Sequence, residues 1–288
     1  MNTPPSERLG TGTPRLSLNR WTFRTTPIQE FLEVAASQGI DAVGLWRQDV
    51  AEVGLDALRR RVDDAGLRVS TVCRGGFLTS SAEADRAAAL EDNRRAIDET
   101  AGLGAPTLVL VVGGVDKADK DIVGARARVT EAIAELAPYA EERGVTLSIE
   151  PLHPMFAADR AVVSTLDQAL DIAEASGSAA AGVVVDTYHV WWDPYLARAI
   201  QRAADSGRLF SYQVCDWNLP LAAEPLHSRG YMGDGYIDFP SITRMIKDAG
   251  YAGDIEVEIF NEDVWATPAD VAAKIIADRF TELVLPHG

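Results

Sequence analysis

Cysteine is nearly absent from the 288-residue chain: Cys73 and Cys215 are too few and too far apart for a disulfide framework or a cysteine-rich zinc site, and both are expected to stay reduced. Long apolar runs are missing too. None approaches the roughly 18 residues that suggest a membrane span, and residues 1–14, with their Pro, Gly and polar side chains, lack the charged start and apolar stretch of a secretory leader. The expectation is a cytoplasmic protein with no membrane partner. Basic residues are outnumbered, 27 Lys and Arg against 43 Asp and Glu, for a formal charge of −16. Such a surface repels phosphate backbones and anionic headgroups, which argues against nucleic acid as a partner. What is present is ordinary for a folded protein with a large core: 47% hydrophobic and 24% charged residues.

Residues 1–14 read as a flexible arm and residues 15–288 as one domain. Beyond the arm, short β-rich runs alternate with longer amphipathic stretches, the pattern of an α/β protein. Strands are expected at 15–20, 41–46, 67–73, 107–112, 146–150, 182–186, 209–214 and 254–259. Apolar residues at helical spacing lie between them, as in Ile28, Phe31, Leu32 and Ala35, or Val129, Ile133, Leu136 and Ala137. Gly39, Gly66, Gly144, Gly177 and Gly250 each stand just before a strand, where left-handed helix stops belong. A doubly wound open sheet can be written from the same units. Eight strands at this length nevertheless favour a (β/α)₈ barrel, which typically takes about 250 residues. The long segment 215–238 holds Gly230, Gly233 and Gly235 and follows the seventh strand, on the side where such barrels build active sites.

Side chains two apart on a strand share a face. In the last strand Ile255, Val257 and Ile259 form the face that packs on helices, which turns Glu256 and Glu258 into the barrel. By the same alternation Glu150, Asp186 and Gln213 point inward near the ends of the fifth, sixth and seventh strands. One carboxylate at a strand end more often caps a helix or pairs with a base. Converging donors from four strands need another account, because clustered negative charges repel unless a cation sits among them. The −16 charge argues against local Arg and Lys doing all the neutralising. Hard oxygen donors suit one divalent ion, Mn²⁺ first and Mg²⁺ second. Gln213 offers its amide carbonyl as the fourth donor, or else an internal hydrogen bond across strands.

These segments, "LSIEPLHP", "VVVDTYHVWWDP", "YQVCDW", "SRGYMGDGYIDFP" and "GDIEVEIF", resemble the sugar phosphate isomerase/epimerase family. These are xylose isomerase-like barrels with hydroxypyruvate isomerase, ketose 3-epimerase and inosose dehydratase relatives. The resemblance runs from about Leu16 to Leu285. It implies a metal held by Glu150, Asp186, Gln213 and Glu258; His is the commoner third ligand, so Gln213 is a departure, shared with hydroxypyruvate isomerases. It also implies that His189 contacts substrate and stabilises developing charge, and that Arg229 is the arginine often kept in the glycine-rich loop. The nucleic-acid-cleaving branch uses additional His ligands and several metals, and four histidines do not supply that inventory.

The implied enzyme is a metal-dependent isomerase or epimerase of carbohydrate metabolism. It would act on a keto-sugar or polyol through an enediolate, with Glu150 and Glu258 as the acid/base pair. A lyase, either a dehydratase or an enzyme that cleaves keto-glycosides, uses the same enediolate, and a non-catalytic sugar-binding barrel would keep only the fold. His153 lies close enough to Glu150 to reach the mouth, or serves its loop. Trp46, Arg47, Arg74, Trp191 and Trp192 follow strand ends and are candidates to wall the pocket. Asp216 either orients a ligand or caps its loop. A homo-oligomer is compatible with everything above.

Overall fold

Alternating Val, Leu and Ile residues bury the outer faces of short strands, and glycine lets each helix stop sharply before the next strand. In the computed structural model, which describes Thr13 and residues 15–288, eight parallel strands close into a barrel. They are Leu16–Asn19, Ala42–Trp46, Arg68–Gly76, Thr107–Val111, Thr146–Ile149, Ala181–Asp186, Leu209–Val214 and Ile255–Val257. The last strand closes on the first through Ser17 opposite Glu256. All eight expected strands occur; the seventh has its expected bounds and the ends of the others differ by at most three residues. The eighth stops at Val257, so Glu258 lies just beyond it, as Glu150 lies just beyond the fifth. Apart from Thr13, the expected N-terminal arm lies outside the described residues.

The expected apolar stripes are buried against the barrel. Ile28, Phe31, Leu32 and Ala35 face inward on helix Ile28–Ser37, and Val129, Ile133, Leu136 and Ala137 do so on helix Ile122–Glu142. Tyr212 turns outward and shares a hydrogen bond of 2.9 Å with Thr243 on helix Phe239–Asp248. The five helix-stop glycines all have positive φ, between 68° and 78°.

Inside the barrel the filling is partly polar. Ser70 Oγ, Thr71 Oγ1, Asn19 Nδ2 and Gln213 Nε2 all donate to the buried Glu256 carboxylate, at 2.9, 2.7, 2.6 and 3.1 Å. Burial pushes the Glu256 pKa up, and Asn19, Thr71 and Ser70 pull it back. Gly44 on the second strand makes the room, since a Cβ there would meet Glu256 Oε1 at 2.5 Å. Asn19 Oδ1 in turn accepts from Trp21 N and Trp46 Nε1, both at 2.9 Å. The barrel interior thus carries a hydrogen-bonded line from Glu256 to two tryptophans at the mouth.

Candidate active site

Asp186 ends the sixth strand and immediately caps the next turn: its Oδ1 accepts from Tyr188 N at 2.9 Å, starting the short helix Thr187–Val190. That turn carries His189, whose Nε2 lies 3.9 Å from Asp186 Oδ2 and 4.0 Å from Glu150 Oε1. Arg229 reaches in from the long loop after the seventh strand. Its Nη1 is 2.8 Å from Asp186 Oδ2 and 3.2 Å from Glu258 Oε2, and its guanidinium lies against the rings of Tyr188 and Phe260.

Three buried carboxylates therefore face one arginine. With all three ionised, Arg229 would match one of them and leave two formal negative charges. Burial holds the Glu150 carboxyl well above the usual carboxylate range, with Asp186 and Glu258 adding to the shift. Burial also pushes Glu258 up to about 8, although Arg229 opposes it. Burial lowers the His189 pKa, and Arg229 lowers it further, so the ring is neutral. Both ring nitrogens face donors, Nδ1 the His153 N–H at 3.1 Å and Nε2 the Arg229 Nη2 at 3.0 Å. An oxygen bound beside the His189–Arg229 pair would accept from Arg229, whose guanidinium carries further donors.

The donor set fits a hard divalent cation. Atoms of Glu150, Asp186 and His189 lie within 4.8 Å of one another. Two members of this group offer carboxylate oxygens and the third a ring nitrogen. Two buried oxygens, Glu150 Oε1 and Gln213 Oε1, have no hydrogen-bond partner among the described residues. Because Gln213 Nε2 donates to Glu256, its carbonyl is turned away from that carboxylate and is free to act as an acceptor.

A cavity of about 420 Å³ opens over this cluster. Its wall includes Glu150, His189, Arg229, Glu258, Trp46 and Arg74, so these expected residues are brought together. Asp186 and Gln213 are wholly buried behind that wall. Arg47 is turned away to Asp92 and Glu99, at 2.8 and 2.6 Å. Asp216 does not line the cavity: its oxygens accept from the backbone N–H groups of Trp217, Gly233, Gly235 and Ile237, fixing the glycine-rich loop. Trp191, Trp192 and His153 pack in an aromatic group with Trp217 beside the cavity. Sequence reasoning passed over Trp21, Phe260, Arg24 and Arg160, all on the wall. Trp21 stacks on Trp46 with centroids 4.4 Å apart. Its position just after the first strand, like that of Trp46 at the end of the second, was the available signal.

Comparison with known proteins places this geometry in context. A family model described as xylose isomerase-like TIM barrel matches residues 32–280. The chain is 27% identical to an inosose isomerase of Halalkalibacterium halodurans over 157 residues, about half the length of each protein (54% of both). It is 25% identical to an L-ribulose 3-epimerase of Mesorhizobium japonicum over 260 residues, 87% of this chain and 82% of that one. Similarity to a 3-dehydroshikimate dehydratase of Pseudomonas aeruginosa is 27% over 84% of this chain but 37% of that longer protein. Among solved structures, a protein from Sinorhizobium meliloti 1021 superposes with a TM-score of 0.91 at 44% identity, covering 94% of this chain and 99% of that one. The IolI protein with a bound zinc atom shares the fold at 18% identity, with a TM-score of 0.81 over 95% of this chain and 99% of that one.

Proposed function

Because the chain belongs to the xylose isomerase-like TIM barrel family, we propose that it is a divalent-metal-dependent enzyme that isomerises or epimerises a keto-sugar or related polyol. The observation that carries this reading is the pair Glu150 and Glu258, two buried carboxyl groups on the wall of one cavity beside a donor set with two unpartnered oxygens. Glu150, Asp186, Gln213 and Glu258 would hold the ion. Manganese is the first choice for four oxygen donors, with magnesium next. When bound, such an ion supplies Lewis acidity that polarises a carbonyl.

The protein's own groups do the rest. One of Glu150 and Glu258 takes the proton from the carbon beside the carbonyl, and the other returns one. Burial pushes the Glu258 carboxyl up to about 8, which suits a group that must both accept and release protons near neutrality, and raises Glu150 as well. Arg229 and His189, side by side on the cavity wall, stabilise the substrate oxygen on which charge develops. Trp21, Trp46 and Phe260 cover one side of the cavity with aromatic surface and keep water from the reacting carbon.

The same proton abstraction also begins an elimination, the reading favoured by similarity to a dehydratase over most of this chain. Incubating the metal-loaded protein with keto-sugars in deuterated buffer tests both by NMR and mass spectrometry. Solvent deuterium at the carbon beside the carbonyl, with the sugar skeleton retained, supports isomerisation or epimerisation. Loss of water or an aglycone supports the lyase, and absence of exchange across such a panel contradicts the acid/base assignment.

A further inference from the structure

Charge is distributed unevenly along the cavity. At its buried end Arg229 is matched by carboxylates. Nearer solvent three more arginines line the wall: Arg24, Arg74 and Arg160. Among the described residues, Arg74 makes no ion pair and no hydrogen bond, and its guanidinium lies over the Phe77 ring at 4.3 Å. Arg24, also without a carboxylate partner among those residues, lies over Trp21 and Trp265. Arg160 spends Nη2 on Glu224 at 3.2 Å, while its buried Nε has no hydrogen-bond partner. The carboxylate on this part of the wall, Asp159, is exposed and 4.0 Å from Arg160 Nε.

This is unusual within a chain of net charge −16. Among partly buried arginines elsewhere, Arg47 is clamped by Asp92 and Glu99, and Arg202 by Asp167, Asp171 and Glu174. A half-buried guanidinium presents five donors and a permanent charge, and leaving it unmatched is costly. Burial lowers the Arg74 pKa, and the nearby charge of Arg160 lowers it further. Glu150 and Glu258 oppose that shift from beyond ion-pair distance.

We propose that Arg74, with Arg160, receives an anionic carboxylate or phosphate group of the substrate, so that the cavity selects acidic keto-sugars over neutral ones. The proposal rests on the keto-sugar reading above and adds the charge of the substrate. The anion would bind towards the open end of the cavity while the carbonyl end sits at Glu150, Glu258 and His189. Arg24, lying on two aromatic rings at the rim, adds to the field that draws such an anion in.

Calorimetric titration of the manganese-loaded protein with D-fructose, D-fructuronate and D-fructose 6-phosphate tests this, the two acids separating a carboxylate receptor from a phosphate receptor. At least one acid is expected to bind about tenfold or more tightly than D-fructose, the range of one charge-assisted hydrogen-bonded contact. In Arg74→Met that preference should fall towards unity, and Arg74→Lys should restore part of it. The preference of the unaltered protein should also shrink as salt rises, a readout that survives if a variant fails to fold. Equal affinity for all three sugars, failure of both acids to bind, or an undiminished preference in Arg74→Met would overturn the proposal. Tight binding of an acid without exchange of its carbon-bound protons in deuterated buffer would leave the anion receptor standing and overturn the isomerase reading. Exchange on neutral sugars with no preference for acids would do the reverse.

Discussion

Glu256 and Glu258 stand two residues apart near the end of the eighth strand, are both buried, and have different environments. Glu256 accepts hydrogen bonds from four side chains contributed by the first, third and seventh strands and lies deep in the barrel. Glu258 lines the cavity, and its carboxylate contact among the described residues is Arg229 at 3.2 Å. Donor supply, more than residue type or depth, separates a carboxylate that holds the barrel together from one left for chemistry. The mouth is under-satisfied where the interior is saturated.

The sharpest way to break this contrast is to neutralise the mouth. Glu150→Gln and Glu258→Gln keep an oxygen donor but remove a proton acceptor, so turnover should fall by about 10²–10⁴-fold while metal content changes far less. Steady-state kinetics with elemental analysis of each variant checks this, and full turnover at either position would remove that residue from the acid/base pair. At the saturated end, Glu256→Leu strips the acceptor from Asn19, Ser70, Thr71 and Gln213. Buried donors left unpaired cost about 1–3 kcal/mol each, and hydroxyls can turn elsewhere, so a loss of roughly 3 kcal/mol in chemical denaturation is expected. A loss below about 1 kcal/mol would show that the network is not holding the interior.

Gln213 joins the two regions, with Nε2 on Glu256 and Oε1 unpartnered. Gln213→His should retain metal, since imidazole is an ordinary donor to divalent transition ions. Gln213→Leu should weaken metal binding by about tenfold or more, on the scale of losing a supporting contact. Metal titration distinguishes them, and equal affinity for the Leu variant and the unaltered protein would show that Gln213 is no ligand.

Much of this was legible in the sequence because it depends on local periodicity. Two-residue alternation placed Glu150, Asp186, Gln213, Glu256 and Glu258 inside the barrel, and glycine spacing marked the helix stops. The division of labour between Glu256 and Glu258 was not legible, because it depends on closure. Asn19 meets Glu256 across 237 residues, and Gly44 leaves the space on another strand. Arg229 showed as a loop arginine, but its contacts with both Asp186 and Glu258 follow from the fold of the loop that Asp216 pins. Trp191 and Asp216 were singled out by position after a strand, yet the chain turns them into loop and aromatic packing, whereas Arg160 reaches the wall from a loop whose course no periodicity encodes.

The central claim is that the unbalanced carboxylates at the mouth bind one divalent cation. Elemental analysis of the purified, active protein tests it most directly, with zinc measured beside manganese and magnesium because a neighbour of the same fold binds zinc. The prediction is one divalent ion per chain, removable by chelation with loss of turnover and restored by adding the ion back. Active protein containing no divalent metal would contradict the account.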